Sequence, residues 1–492
     1  MTTQHDNLTA PRGDDTINWP VIWLLLGAAF VVILNETTMT VALPHLMHDL
    51  HVDARTAQWL TTGFMLTMAV VIPITGFAMQ RLTTRQVFLT AMTLFSTGTL
   101  IAGLSPTFEV LMVARVVQAS GTAIMMPLLM TTILNLVPME RRGEVMGSVS
   151  IAMSVAPALG PAMSGLVLQW LSWRWIFFIV LPIALLMLAA GAVRMTNVTE
   201  TSKIPLDVLS VILSAFGFGA LVYALSQIGG HGQASGPPME LAFAVAVVGL
   251  GLFIWRQVVL QREDKPLLDL RTFKVRDYSV SLAVMMIAFM SMMGTMLLWP
   301  TYLQDVRGIP AAWTGFLMLP GGLAMGLLGP LIGKLFDRFG ARPLVVPAAA
   351  SMTLMVFAMS RVTAHTPIWM LFAVHIGLML SLACMFTPTF TSGLNALTPK
   401  LYGHGSALLG TLQQVAGAAG AAMLITLMQT RTQSLEGQGQ LHQLALQGGI
   451  SHALTIGSII GLGAVALATL LRGKPRAPEP QADPQDEVSV QV

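Results

Sequence analysis

Two charged side chains of opposite sign lie inside long apolar stretches of this sequence, where a charge is costly. Glu36 is in the apolar run 20–43, and Arg115 is in the run 108–130. A charge at the centre of a bilayer costs about 2.5–3.5 kcal/mol on insertion scales, so such residues usually mark an ion or substrate pathway. Each lies seven residues from one end of its run, which places both about 10 Å deep if those ends share a face. We therefore expect a charge pair, formed directly or through water.

Such a pair could carry a proton. A conformational change that altered the hydration of Glu36 or its distance from Arg115 would load and release a proton at the carboxylate. Exchange of that proton for a cationic or lipophilic compound at the same acid would be antiport. The alternative is a static structural pair, because buried ion pairs need not be functional.

Other polar or polarisable residues within the apolar runs are candidates for the wall of a substrate cavity. Six methionines between positions 285 and 296 cover roughly a third of one helix circumference. They suit a pocket for varied apolar molecules, although packing or lipid contact is the more common role of such a stripe. The histidine could titrate or bind substrate, or pack with a hydrogen bond, and the glutamines could instead bond between helices. The candidate substrate-binding residues are Asn35, Met39, Gln118, Met286, Met290, Met293, His375, Gln413 and Gln414.

The elements that position these residues are the apolar runs themselves. Of the 492 residues, 54% are hydrophobic and only 10% are charged, against about 25% charged residues in soluble domains. Each run is close to the roughly 20 residues that a membrane-spanning helix needs, and the connections are too short for a soluble domain. The sequence therefore predicts an all-α integral membrane protein. Its fourteen spans are expected at 20–43, 57–79, 86–104, 108–130, 144–168, 173–194, 206–227, 238–258, 278–303, 312–333, 343–361, 366–390, 404–428 and 451–471.

The distribution of lysine and arginine predicts how these spans are oriented, since cytoplasmic loops are enriched in both. With both termini in the cytoplasm, 20 of the 26 lie on the cytoplasmic side, five lie outside, and Arg115 lies within a span. The first run is too long for a signal-peptide core, so we expect a multi-pass protein that is not cleaved. The single cysteine, Cys384, excludes a disulfide framework and a multi-cysteine metal site.

A weak internal repeat links two loops that lie eight spans apart. The loops after spans two and ten read Gly76-Phe-Ala-Met-Gln80-Arg81-Leu-Thr-Thr-Arg85 and Gly333-Lys-Leu-Phe-Asp337-Arg338-Phe-Gly340-Ala-Arg342. Parallel repeats of this kind build many transporters, and the spacing implies two six-span halves with a two-span insert between them. We predict disordered tails at 1–17 and 473–492, a first half at 18–194, the insert with its connectors at 195–277 and a second half at 278–472.

With these loops identified, the chain resembles the major facilitator superfamily, and within it the fourteen-span drug:proton antiporters. Residues 333–342 match the loop signature Gly-x-x-x-Asp-Arg-x-Gly-x-Arg at every fixed position, and residues 34–44 resemble the first-span signature that ends Val-Ala-Leu-Pro. Residues 115–121 are similar to the fourth-span motif, and residues 147–165 are similar to the antiporter motif of span five. Several motifs in the right spans and order form a specific signal, whereas any one alone would be weak.

The resemblance implies two six-helix bundles plus a two-helix insert, with a central cavity that gates open to each side in turn. It implies that the Gly-Pro pair of span five helps to close the outer side, although ordinary packing of small residues is the alternative. The charges of the loop 333–342 would hold helix ends together at the cytoplasmic surface. The alternative is that they only set the orientation of the spans in the membrane. The gating residues expected from these motifs are Arg81, Arg85, Gly160, Pro161, Asp337, Arg338 and Arg342.

Two positions depart from the family pattern. The family usually has Asp where this chain has Asn35, and the acid stands instead at the next residue, Glu36, which points about 100° away on a helix. The first loop has Gln80 where the signature has Asp. This second departure predicts a weaker gate in the first half than in the second.

We therefore predict a proton-coupled multidrug efflux antiporter in a bacterial cell membrane, with Glu36 as the proton carrier and Arg115 as its modulator. Expected partners are small lipophilic or cationic compounds, protons, membrane lipids and, as an option, a periplasmic adaptor. No nucleic acid, cofactor or enzymatic chemistry is expected, and the sequence has no phosphate-binding loop for ATP. The alternatives are export of a specific metabolite or lipid, proton symport, or a sensor or assembly partner that kept a transporter fold.

Overall fold

The fold is seen in a computed structural model that describes residues 18–198, 207–228, 237–263 and 265–472. Within these ranges the chain is helical and has no β-strand. It contains fourteen helices that are long and apolar enough to cross a membrane. The prediction of an all-α protein with fourteen spans is therefore confirmed. The predicted tails at 1–17 and 473–492 lie outside the described residues.

Short connections join the helices, and single helical turns occupy several of them. Such turns lie at Met139–Arg141, Leu270–Lys274 and Pro399–Leu401, and a π-helical turn at Tyr302–Val306 continues the ninth helix. The long helices are α1 Trp19–Asp49, α2 Ala54–Arg81, α3 Thr84–Leu104, α4 Phe108–Leu136, α5 Arg142–Trp170, α6 Arg174–Arg194, α7 Val208–Ile228, α8 Met239–Gln261, α9 Arg276–Thr301, α10 Ala311–Phe339, α11 Arg342–Ser360, α12 Ile368–Asn395, α13 Tyr402–Gly437 and α14 His442–Ala468.

Helix α1 is longer than the apolar run that predicted it. The run ends at residue 43, whereas the helix continues to Asp49, and the amide of Leu50 closes it on the carbonyl of Leu46. Backbone groups pair along a helix whatever side chains it carries, so the helix passes beyond the apolar stretch. Glu36 is therefore 13 residues from the end of its helix, a distance of about 20 Å. Its depth relative to Arg115 follows from contacts rather than from residue counting.

The helices pack as two groups of six and one pair. In the first group α3 packs against α4, α1 against α5 and α2 against α4, and in the second α9 packs against α13 and α11 against α14. The two groups meet along α5 with α10 and along α2 with α13. The pair α7 and α8 pack together, and α7 also lies against α2 and α13. The division of the chain at 18–194, 195–277 and 278–472 stays a prediction.

Both ends of the described chain lie at one face of the helix array. Helix α1 begins there, and fourteen crossings return the end of α14 to the same face. We call it the proximal face and the opposite one the distal face. Helices α5 and α13 begin at the proximal face, and α2, α4, α10 and α12 end there, so their close contacts show whether this face is open or closed.

Candidate functional site

Arg115 of α4 is the centre of a buried polar cluster. Its side chain is 1% exposed, donates hydrogen bonds to Oε1 of Gln118 at 2.6 Å and Oδ1 of Asn35 at 3.5 Å, and stacks over Phe64. Gln118 in turn donates from Nε2 to the hydroxyl of Thr99 at 2.8 Å. The cluster joins α1, α2, α3 and α4, so the cost of burying the guanidinium is offset by two oxygen acceptors and an aromatic face.

Glu36 lies next to this cluster without joining it. Its side chain is partly exposed, whereas neighbouring Asn35 is buried against Arg115. Within the described ranges, no hydrogen bond or ion pair joins Glu36 to another residue, although Arg115 is close enough for their charges to interact. The direct form of the expected pair is therefore absent from this conformation. Asn35 and Gln118, rather than Glu36, supply the oxygen acceptors of Arg115.

The antiporter-motif glycine lies against the turn of α1 that carries Glu36. A Cβ atom on Gly160 would lie against the hydroxyl oxygen of Thr37 and 3.1 Å from the carbonyl oxygen of Leu34. Glycine thus permits α5 to cross α1 at this level. The contact is within the first group of helices, so this structure shows Gly160 packing beside the acid and leaves its role in closing the outer side as a prediction. Pro161 follows it within α5.

The candidate substrate residues fall into several separate environments. Asn35 and Gln118 belong to the Arg115 cluster, and Met39 is buried in an apolar cluster at the distal end of the first group. Met290 and Met293 of α9 pack against glycines of α13, whereas Met286, Gln413 and Gln414 are partly exposed. In the described residues, Nε2 of Gln413 has no hydrogen-bond partner.

His375 of α12 is a buried histidine with an unused ring nitrogen. It is 4% exposed, and its Nδ1 has no hydrogen-bond partner among the described residues. A Cβ atom on Gly321 of α10 would lie 2.8 Å from the imidazole ring, so this glycine makes room for it. No described hydrogen bond links His375 to Arg115. The structure therefore places the two polar centres in different groups of helices.

Asp337 caps a helix of the other group at the proximal face. Its Oδ1 accepts the backbone N–H of Gly143 at 2.8 Å, and its Oδ2 accepts that of Glu144 at 2.9 Å. The first N–H groups of a helix have no partner within the helix and carry partial positive charge, so a carboxylate there is stabilising. A Cβ on Gly333 would lie against the carbonyl oxygen of Gly143, which shows how closely α10 approaches α5.

The first-half loop makes the matching contact on α13. A hydrogen bond joins Nε2 of Gln80 and Nε2 of His404 at 2.6 Å, close to the start of α13. A Cβ on Gly76 would lie 3.3 Å from Ala407 and 3.4 Å from the carbonyl oxygen of Gly403. The two repeated loops thus pack on equivalent helix starts in the opposite groups, one with a carboxylate and the other with an amide. We call these two contacts together the proximal gate.

Arg142 makes a further contact between the groups, which the sequence interpretation missed. It is 8% exposed and donates to the carbonyl oxygen of Leu134 at 2.6 Å and of Val137 at 3.0 Å, at the end of α4. It also donates to Oδ1 of Asn395 at 2.8 Å and to the hydroxyl of Tyr402 at 3.3 Å, in the second group. Counted only as a loop charge, it is in fact a buried bridge between the groups. Its place directly before the α5 glycine is the one sequence signal that could have identified it.

The other predicted gating arginines lie elsewhere. Arg85 donates to the carbonyl oxygen of Ala192 and from its backbone N–H to Asn197, so it ties the start of α3 to the end of α6. Arg338 stacks on the neighbouring Phe339 ring and Arg342 is exposed, and neither forms an ion pair in the described part of the chain. Arg81 is exposed at the end of α2. Within the predicted latch, Asp337 supplies the contact between groups.

Comparisons with known proteins identify the family of this chain and proteins that are similar to it. The family model described as Major Facilitator Superfamily matches residues 25–421. The chain is 39% identical over 461 residues to the uncharacterized MFS-type transporter YcnB of Bacillus subtilis, covering 94% of this chain and 96% of that protein. It is 40% identical over 446 residues to the lincomycin resistance protein LmrB of Listeria innocua, covering 90% and 94%. The solved structure of the proton:xylose symporter XylE aligns with a TM-score of 0.62 at 13% identity, covering 94% and 97%, which shows the fold.

Proposed function

This chain belongs to the major facilitator superfamily, and we propose that it exports lipophilic compounds, cationic ones in particular, in exchange for protons. As a member it is a multi-pass membrane transporter and not an enzyme. The efflux assignment is supported by its similarity along nearly its whole length to a protein named for lincomycin resistance. A bacterial cell membrane is the proposed location, and drug resistance the proposed consequence.

The proton step is assigned to Glu36. The observation that carries this assignment is a carboxylate inside a membrane-spanning helix, partly exposed and without a hydrogen bond or ion pair in the described ranges, beside a buried Arg115 cluster. A carboxylate in that position can bind a proton or a cation, but the positive charge of Arg115 disfavours the binding of both at the same time. Binding of one then releases the other, which is the requirement for antiport.

Alternating access is assigned to the separation of the two groups of helices at the proximal gate. We place the proximal face in the cytoplasm because the lysine and arginine distribution favours it. In this conformation the gate contacts are made, and the proposed transport cycle requires a second conformation in which they are broken. Breaking the Asp337 and Arg142 contacts would open the cavity to the cytoplasm.

Transport in proteoliposomes tests the assignment. A fluorescent lipophilic cation should move against its own gradient when a pH gradient drives protons the other way. We expect Glu36→Gln to abolish this accumulation while leaving downhill movement measurable. Glu109→Gln, which changes an exposed carboxylate at the start of α4, should transport like the parent.

The outcome also separates the alternatives. Full gradient-driven transport by Glu36→Gln would show that the proton is carried elsewhere. Accumulation with the proton gradient, rather than against it, would indicate symport. Absence of transport for a range of cations, metabolites and lipids, despite a gate that opens, would favour a sensor. An adaptor is not required for any of these measurements, and its addition should change only delivery beyond the membrane.

A further inference from the structure

The connector between α8 and α9, residues 265–275, lies against the α2–α13 side of the proximal gate. Leu267 and Leu268 are 1% and 0% exposed. They belong to one apolar cluster with Phe77 of α2 and with Ala407 and Leu408 of α13. The connector is therefore buried on two helices that belong to different groups and must separate when the gate opens.

The connector is held in place by a polar chain from the insert. Gln257 of α8 is fully buried; its Oε1 accepts the backbone N–H of Leu268 at 3.1 Å, and its Nε2 donates to the hydroxyl of Ser210 at 2.7 Å. Ser210 donates to Asp207, which forms an ion pair with Arg256 at 3.0 Å. Because each member of this chain has its partner, the insert presents the connector in one fixed position.

A buried carboxylate of the connector lies on the side of the gate where the repeated loop has none. Asp269 is 1% exposed, accepts the backbone N–H of Arg271, and pairs with its guanidinium at 2.7 Å. Asp269, Arg271 and Lys400 are the charged groups that face His404 near the start of α13. On the α5 side of the gate, the carboxylate of Asp337 caps the start of the helix. On the α13 side, the equivalent residue Gln80 is uncharged, and the connector brings a carboxylate to that side.

We propose that the connector is a third part of the proximal gate, a strap that holds α2 and α13 together, with Gln257 and Asp269 as its positioning residues. The strap must leave its apolar cluster before the groups can separate. The inference rests on the alternating access assigned above, but not on the identity of the substrate or on proton coupling. It gives the insert a role in gating beyond packing.

Cysteine accessibility in purified protein tests the strap. The reporter is Ser406→Cys in a Cys384→Ser background, because Ser406 is buried and lies 3.4 Å from Thr131 across the two groups. In lipid nanodiscs, Gln257→Ala should raise the rate of maleimide labelling roughly two- to tenfold, the effect of losing the one buried hydrogen bond that joins α8 to the connector. Gln261→Ala is the matched control, since Gln261 lies one turn further along α8 and its Nε2 has no partner in the described residues. Equal labelling in the two variants would overturn the proposal.

A second measurement does not depend on how Gln257→Ala folds. Leu268→Cys reports on the strap itself, and Asp337→Asn opens the gate from the opposite side. We expect Asp337→Asn to raise labelling of Leu268→Cys and of Ser406→Cys together. If Ser406→Cys becomes accessible while Leu268→Cys stays protected, the gate opens with the strap in place and the proposal is wrong. Labelling needs no transport, so failure of the proposed efflux function would leave both readouts intact.

Discussion

Replacing Asp337 by Asn should shift the gate strongly towards its open state. The carboxylate accepts two backbone N–H groups of α5, at 2.8 and 2.9 Å, and a hydrogen bond to a charged acceptor contributes about 1.5–3 kcal/mol. The amide keeps one acceptor oxygen but turns an NH2 group towards the second N–H. It also loses about 0.3–1 kcal/mol of interaction with the helix dipole. The closed state should therefore lose about 2–4 kcal/mol, a roughly 30- to 700-fold change in the ratio of closed to open molecules.

Pulsed electron paramagnetic resonance can measure this ratio. Spin labels at Met139→Cys and Arg338→Cys, both exposed positions at the proximal ends of the two groups, should give a short distance in the parent. A longer distance should dominate in Asp337→Asn. Glu140→Gln removes an exposed carboxylate close to the same helix start and should leave the distribution unchanged. A distribution in Asp337→Asn that matches the parent would refute the assignment of Asp337 as the gate contact.

Three further changes test the gate and the insert. Arg142→Ala leaves the carbonyl groups of Leu134 and Val137 without their donor. It should lower the thermal unfolding midpoint as well as open the gate, at a cost of about 3 kcal/mol or more. An unchanged midpoint would argue against the buried bridge. Gly333→Ala should force α10 away from α5 at a cost of about 1–3 kcal/mol, and the spin-label distance should become longer. Gly165→Ala is the control and should leave the distance unchanged, because a Cβ there meets nothing within 4 Å. The hydrogen bond from Arg256 holds the pKa of Asp207 below its ordinary value of 3.8, so the pair stabilises the insert above that pH and is lost as pH falls through the lower folded-state pKa. Asp207→Asn should accordingly lower the unfolding midpoint equally at all pH values from about 5 to 8, and the difference should vanish in stronger acid.

The spans were predictable because length and hydropathy alone decide whether a helix can cross a bilayer. The ends of the spans were less predictable. Helix α1 passes residue 43 and reaches Asp49, since the backbone bonds that extend a helix do not depend on the apolar character that marked the run. The repeat predicted two equivalent loops, and the structure shows both on helix starts of the opposite group.

The candidate site was predictable only in part. A charge inside an apolar run identified Glu36 and Arg115, but the sequence could not show which of two adjacent side chains faces the guanidinium. A rotation of about 100° per residue decides this, and it brings Asn35 rather than Glu36 into contact. The sequence did not indicate that Arg142 is buried, because an arginine before a helix usually faces solvent or lipid headgroups. Its burial arises from α12 and α13, far away in sequence.

The position of α7 also limits how a compound dissolved in the bilayer can reach the translocation pathway. The proposed separation of the two six-helix groups would open two lateral crevices facing the acyl chains, one on each flank. Helix α7 packs against both α2 and α13, and it screens the crevice on that flank from lipid. A hydrophobic cargo diffusing in the leaflet is thus expected to enter sideways between α5 and α10 alone, past the point where Gly333 approaches Gly143.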